Sequence, residues 1–149
     1  MPRAPFQILV LPYRRTDDAF EYAVFRRSDA VIWQGLAGGG EDNERPIDAA
    51  KREASEEAGI PETCAYIPLQ SISSIPVNNF KASLNWDPSL YVILEHTFGV
   101  DCTGVPLVLS HEHVKMEWLP YQEASERFTY DSNRTALWEL NKRLNGAIQ

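Results

Sequence analysis

Residues 38–60 read GGGEDNERPIDAAKREASEEAGI, a glycine triplet followed by a strongly acidic segment. The segment predicts a helix over residues 45–58. Pro46 stands in its first turn, where a missing N–H costs nothing, and Gly59 stands where a C-terminal glycine belongs. The glycines at 38–40 allow the backbone to approach a ligand closely. The triplet is therefore either a cradle for a metal ion or phosphate, or simply a turn.

The predicted helix has two distinct faces. With about 100° between successive residues, Glu53, Glu56 and Glu57 fall within one stripe about 100° wide. The adjacent stripe is apolar and mostly small, which lets the helix lie close to a sheet. It consists of Ile47, Ala50, Ala54 and Ala58. The helix should bury one face and present a concentrated acidic edge beside it.

The acidic edge has two interpretations. A Glu-rich helix face is usually solvated, but like charges three and four residues apart repel, and the helix dipole disfavours anions near the C-terminus. Arg52 can pair with Glu56 one turn on, yet one cation does not neutralise three acids. Hard divalent cations such as Mg²⁺ bind carboxylates together with substrate phosphates. Spacing alone leaves a solvated face and a metal site both open.

The whole segment resembles the signature of the Nudix hydrolase family over its 23 positions, residues 38–60. Ala54 stands where a larger aliphatic residue is usual. Asn43 stands where many members have glycine, and Asn tolerates left-handed backbone. The resemblance implies a Nudix fold of class α+β, an α/β/α sandwich around a mixed sheet. It also implies divalent-metal hydrolysis of a nucleoside diphosphate linked to another group.

The resemblance implies roles for two sets of residues. The catalytic and metal-binding carboxylates are Glu53, Glu56, Glu57 and Glu112, with Mg²⁺ as the expected ion and Mn²⁺ as an alternative. Glu112 lies outside the signature, and its expected role is that of metal ligand, general base or both. Glu95 and Glu117 are other acids that could take this role. The structural residues of the signature are Gly38, Glu44, Arg52 and Gly59, and Glu44 and Arg52 are expected to brace the loop against the helix.

Other interpretations concern residues beyond the signature. The run Ser110–His113 contains two histidines and could be a zinc site, but no third and fourth soft ligand is evident. The substrate-binding candidates are Arg3, Arg26, Ala37 and Tyr130. Surface exposure is the alternative for both arginines. Phe80 and Trp86, on a polar and aromatic segment over residues 78–88, either stack on a flat heterocycle or cover the core.

The rest of the chain predicts a mixed sheet flanked by helices. Apolar runs and alternation predict a Gly-rich loop at residues 35–40, a helical tail from Pro120 to Leu144, and six strands. The strands are expected at residues 6–13, 21–26, 31–33, 69–75, 90–98 and 114–119. Without a repeat or a Gly/Ser linker, residues 1–149 should form a single domain.

Composition narrows the possible partners and location. The 149 residues are 44% hydrophobic and carry a net charge of −7, which argues against a nucleic-acid polymer or a membrane surface as partner. No apolar run approaches the roughly 20 residues that span a bilayer, and no signal peptide is evident. Cys64 and Cys102 are too few for a disulfide framework and should be buried or half-buried thiols. A cytoplasmic protein is expected, with no oligomeric state indicated.

Further similarity outside the signature favours one branch of the family. It comprises Arg26-Arg27, Trp33-Gln34, Glu112-His113, Trp118-Leu119 and Ser132-Asn133-Arg134. It implies a pyrophosphohydrolase that cleaves a triphosphate to monophosphate and pyrophosphate, with dihydroneopterin triphosphate, a folate precursor, as the leading substrate. The alternatives are an enzyme of the nucleotide pool that prefers dATP or another (d)NTP, and a non-catalytic nucleotide-binding module. Such modules usually lose a signature glutamate, and none is lost here.

Overall fold

The computed structural model describes residues 2–146, so Met1 and residues 147–149 of the expected domain lie outside the described residues. Within that range the chain forms seven strands and three α-helices. The strands are β1 (Arg3–Arg15), β2 (Phe20–Arg27), β3 (Trp33–Gln34), β4 (Leu36–Glu41), β5 (Tyr66–Pro76), β6 (Val92–Asp101) and β7 (His113–Pro120). The helices are α1 (Pro46–Ala58), α2 (Tyr121–Arg127) and α3 (Asp131–Asn145).

The seven strands form one mixed sheet. Its main order is β3-β2-β1-β6-β5, while β4 pairs with β1 and β7 pairs with β2. Strands β1 and β6 run parallel, and the other pairs are antiparallel. The single-domain prediction for 1–149 stays a prediction, whereas the predicted mixed sheet is confirmed.

Helices cover both faces of the sheet and enclose two cores. Because side chains alternate along a strand, Ile8 and Val10 of β1 face α1, whereas Leu9 and Leu11 face α2 and α3. The alanines of α1 are fully buried against the first face, as their small size predicts: Ala49, Ala50, Ala54 and Ala58. The α/β/α sandwich is therefore confirmed.

The Gly-rich segment is a strand, so the prediction of a loop at residues 35–40 is wrong. Strand β4 pairs antiparallel with β1, and side chains of β1 lie directly over its glycines. A Cβ on Gly39 would lie 1.7 Å from Arg3 Nε, and one on Gly40 would lie 2.0 Å from Phe6 Cζ. The glycines leave room for these neighbouring side chains. A run of glycines usually indicates a turn, which is why the sequence predicted a loop here.

The boundaries of α1 follow local backbone chemistry. Pro46 is its first residue, and Gly59 caps its C-terminus in the left-handed region with φ of +67°. Asn43, ahead of the helix, has φ of +71°, which confirms the left-handed backbone expected there.

Cys102 is buried and Cys64 half-buried, and neither forms a disulfide.

The strand predicted at residues 31–33 lies instead at Trp33–Gln34 (β3), and the other predicted strands end within three residues of the observed ones. Residues 78–88 contain no strand; they include the end of one 3₁₀ turn, Val77–Asn79, and the whole of a second, Lys81–Asn85. The helical tail is divided into α2 and α3. Over residues 2–146, no helix combines the length and the apolar character needed to cross a membrane.

Replacing Gly59 with alanine should lower the free energy of unfolding by about 1 kcal/mol, because an L-residue is strained at a left-handed φ. Urea unfolding measures the change. Ser55→Ala is the matched control, since Ser55 is exposed on the same helix and alanine suits a helix interior. Equal stability of Gly59→Ala and the wild type would contradict the assigned cap.

Candidate functional site

Arg52 connects the glycine strand to the acidic helix. Its Nε donates to Glu44 Oε2 at 2.8 Å, and its Nη2 donates to Glu44 Oε1 at 2.9 Å and to the Gly39 carbonyl at 3.0 Å. Its Nη1 donates to Glu53 Oε1 at 3.0 Å and to Glu56 Oε2 at 3.4 Å. The paired guanidinium lowers the pKa of Glu44, and hydrogen bonding to Glu44 is the main cause that raises the pKa of Arg52. One cation therefore holds the segment before α1, the strand and two acids in place.

Gly38 is where strand β4 meets the acidic edge. A Cβ at this position would lie 2.4 Å from the Glu53 carboxyl carbon and within 2.7 Å of both carboxylate oxygens. A side chain would displace the carboxylate, so glycine is required by the close approach of strand and acid.

Glu57 is the buried acid of α1. Only 3% of the residue is exposed, and its Oε2 has no hydrogen-bond partner among the described residues. Burial, followed by the neighbouring Glu53 and Glu112 carboxyls, raises the pKa of Glu57 far above its usual range. A buried oxygen without a donor is costly, and a bound cation would remove that cost.

The loop before β7 brings Glu112 to the same place. Ser28 holds the Glu112 carbonyl through its backbone N–H at 3.0 Å and its hydroxyl at 3.1 Å. The backbone N–H of Ser110 donates to the Glu57 carbonyl at 3.0 Å, and the Ser110 hydroxyl accepts from the Glu112 N–H at 3.2 Å. The backbone of this loop is therefore fixed to α1 and to the segment after β2.

His113 supports Glu57 from the sheet. It is buried, its ring lies 5.4 Å from the Phe25 ring, and its Nε2 is 3.9 Å from Glu57 Oε1. Burial lowers the pKa of His113, which favours the neutral imidazole. Across residues 2–146, no three His, Cys, Asp or Glu side chains are grouped as a ready-made metal site, either at the histidines of residues 110–113 or at the acids of α1.

A cavity of about 690 Å³ opens beside these acids. Of the residues predicted from the sequence, its lining includes Glu57, Glu112, Ala37 and Tyr130. Glu53 and Glu56 lie outside the lining, in contact with Arg52. The acidic edge and the cavity therefore share Glu57 as their common member.

The two predicted arginines have different positions. Arg26 is absent from the cavity lining, which contains its neighbour Arg27, in an ion pair with Asp29. The structure thus does not bring Arg26 to the cavity, and the register of β2 with β7 shifts between Arg26 and Arg27.

Arg3 packs behind the cavity wall. Its Nη2 donates to Gln7 Oε1 at 2.6 Å, and its guanidinium lies 4.9 Å from the centre of the Phe80 ring. Burial lowers the pKa of Arg3, and nearby Glu53 opposes that shift. The half-buried Arg3 supports Gln7 and Phe80, which both line the cavity.

Sequence reasoning missed part of the cavity floor. Gln7 and Ser73 line it with Glu95, a buried acid that the sequence offers only as an alternative to Glu112. The signal that could have identified Glu95 is the position of an acid within a mostly apolar strand segment. Glu117, the other alternative, pairs instead with Arg127 at 2.7 Å outside the cavity lining.

The NUDIX domain matches residues 8–139 of this chain. The chain belongs to the Nudix hydrolase family. Nudix hydrolases act on nucleoside diphosphate derivatives and generally use divalent metal ions. None of the curated proteins matches the chain.

Solved structures agree with the family assignment. A Listeria monocytogenes protein described as a NUDIX hydrolase is 39% identical, with 96% of each chain covered and a TM-score of 0.87. Two others share the fold at lower identity. Escherichia coli dihydroneopterin triphosphate pyrophosphohydrolase is 24% identical, covering 95% of this chain and 97% of its own, with a TM-score of 0.76. Caenorhabditis elegans Ap4A hydrolase is 18% identical, covering 96% and 99%, with a TM-score of 0.74.

The donor set of this Nudix protein suits a hard divalent ion. All four candidate ligands are glutamates, and carboxylate oxygens are preferred by Mg²⁺ and Mn²⁺ over the nitrogen and sulfur donors of zinc sites. The unpartnered Glu57 Oε2 and the repulsion among neighbouring acids would both be relieved by positive charge.

Millimolar Mg²⁺ should therefore raise the melting temperature, because a ligand that binds only the folded chain stabilises it by about 2.7 kcal/mol at 100 times its Kd. Glu57→Gln should reduce that shift while leaving the metal-free protein at least as stable as the wild type. Glu62→Gln, on an exposed residue away from the site, should keep the full shift. Differential scanning fluorimetry measures these changes, and an absent wild-type shift with both Mg²⁺ and Mn²⁺ would contradict the metal site.

Proposed function

We propose that this chain is a Mg²⁺-dependent pyrophosphohydrolase that cleaves a nucleoside-triphosphate-like substrate to monophosphate and pyrophosphate, and that it works in the cytoplasm. The observation that carries the proposal is that Glu57 belongs both to the acidic edge of α1 and to the lining of the cavity. This buried acid ends a row of carboxylates on α1 and also lines a cavity of about 690 Å³. Anionic phosphates would lie at the acidic edge once a cation is bound, and the rest of the substrate would occupy the cavity.

The proposed ligands of the ion are Glu53, Glu56, Glu57 and Glu112. Mg²⁺, or Mn²⁺ in its place, supplies positive charge that offsets the phosphate oxygens and makes a nearby water more acidic. Arg52 has a positioning role, because it already holds Glu53 and Glu56 on one side of the helix.

Glu112 is the proposed general base, with a second role as ligand. Its backbone is fixed while its side chain lies at an exposed position of the cavity lining. A water oxygen forms a bond to one phosphorus as the bridging P–O bond breaks, and the water proton passes to the Glu112 carboxylate. The bridging oxygen leaves with the electron pair of the broken bond, and the products are pyrophosphate and monophosphate.

Dihydroneopterin triphosphate is the leading substrate, which would give the chain a role in folate synthesis. The E. coli neighbour has that substrate in its name, although a sequence identity of 24% supports only a shared fold. A flat heterocycle suits this cavity, because two aromatic side chains, Phe80 and Tyr130, line it together with the small side chain of Ala37. The rival substrates are dATP and other (d)NTPs, and a non-catalytic nucleotide-binding module would bind without cleaving.

Pyrophosphate release from dihydroneopterin triphosphate, dATP, dGTP, dCTP and dTTP should require Mg²⁺ and stop with EDTA. Glu57→Gln should reduce turnover at saturating Mg²⁺ by at least about 10²-fold, since the amide loses the charge that holds the ion. Glu62→Gln should remain fully active. A wild-type protein that binds nucleotides but releases no product would favour the binding module instead.

Glu112→Gln should lower kcat by about 10² to 10⁴ and change KM far less, as expected for loss of a general base. Steady-state kinetics with the best substrate of the screen separates the two constants. The matched control is Glu123→Gln, an exposed glutamate on α2. Near-full turnover by Glu112→Gln would remove Glu112 from the mechanism.

A further inference from the structure

The floor of the cavity contains a row of three polar side chains on adjacent strands. Gln7 on β1 is the parallel register partner of Glu95 on β6, and Ser73 on β5 is the antiparallel register partner of the same Glu95. Register partners point to the same face of a sheet, and all three residues line the cavity. We call these three residues the polar row.

Glu95 is the buried member of the polar row. Only 6% of it is exposed, and within residues 2–146 its carboxyl has one side-chain hydrogen bond, a long one of 3.4 Å from the Ser73 hydroxyl. The metal and the base of the proposed mechanism do not use it. A buried carboxyl with so little hydrogen bonding is costly unless a ligand supplies donors.

The neighbouring Gln7 has a defined orientation. Arginine only donates hydrogen bonds, so the Gln7 atom at 2.6 Å from Arg3 Nη2 must be its carbonyl oxygen. The Gln7 amide N–H₂ group is then available as a hydrogen-bond donor to a ligand in the cavity. Across β1 and β6 the polar row therefore offers a donor on Gln7 beside two acceptor oxygens on Glu95.

We propose that the polar row binds the edge of a 2-amino-4-oxopyrimidine ring, as found in pterins and guanine, and that Glu95 determines this specificity. That edge presents a carbonyl oxygen, a ring N–H and an amino group in succession. The carbonyl would accept from Gln7, and the ring N–H and amino group would both donate to the Glu95 carboxylate. This assignment rests on the proposed function, whose substrate class it narrows.

Adenine does not match the same row. Its edge presents an amino donor beside a bare ring nitrogen, so the amino group would meet the Gln7 donor and the ring nitrogen would meet a Glu95 oxygen. Each mismatch leaves a buried polar atom unpaired, which is the strongest basis for rejecting an analogue. Burial raises the pKa of Glu95, whereas two N–H donors from a ligand would favour its ionised form.

The test compares dGTP with dATP as substrates of the wild type and Glu95→Gln. The wild type should prefer dGTP in kcat/KM, and the variant should lose about 10- to 100-fold of that preference, the range of one bidentate base contact. The introduced amide has one acceptor and one donor group, so it cannot accept from both the ring N–H and the amino group. The ratio of the two kcat/KM values is independent of the fraction of folded enzyme. Glu117→Gln, a sheet glutamate outside the cavity lining, is the matched control and should keep the wild-type ratio.

Binding of the monophosphates separates this proposal from the proposed function. Calorimetry should show dGMP binding more tightly than dAMP to the wild type, and this difference should shrink in Glu95→Gln. A wild type that cleaves no triphosphate but shows this pattern would overturn the pyrophosphohydrolase and support the polar row. An unchanged dGTP to dATP ratio, or equal binding of dGMP and dAMP to the wild type, would overturn the role of Glu95.

Discussion

The ion-pair network of Arg52 is the contact on which the acidic edge depends. The guanidinium joins the Gly39 carbonyl and Glu44 on one side to Glu53 and Glu56 on the other. Without a cation between them, these carboxylates would repel one another and the strand carbonyl would lose its donor. The network is only partly exposed, so water screens it less than it screens a surface pair. Arg52 thus lets the chain fold with its acids already facing one another.

The two cores place this network beside a cavity. The alanines of α1 bring the helix close to the sheet, and the loop that carries Glu112 is hydrogen-bonded to the end of the same helix. The other face of the sheet provides the cavity floor with Gln7 and Glu95. The buried carboxyls of Glu57 and Glu95 have few hydrogen-bond donors among the described residues, and the proposed ligands would supply charge to the first and donors to the second.

Local patterns predicted much of the fold. Helix α1, its Gly59 cap and the left-handed Asn43 follow from backbone preferences of nearby residues, and the strands other than β4 follow from apolar runs. The glycines at 38–40 led to a wrong prediction, because the reason for glycine at these positions is not local. They belong to a strand and have no side chains because Arg3, Phe6 and Glu53, distant in sequence, occupy that space.

The sequence by itself determined the row of carboxylates, because helical periodicity places them on one stripe. It also determined the family, through the signature at residues 38–60, and the resemblance to that family implied the sandwich architecture. Tertiary structure decided which residues meet. It made Glu57 the buried acid, brought Arg27 rather than Arg26 to the cavity, and aligned Gln7 with Glu95 across β1 and β6. Strand register and loop docking set these juxtapositions, and both arise from packing between segments far apart in the chain, which no local pattern encodes.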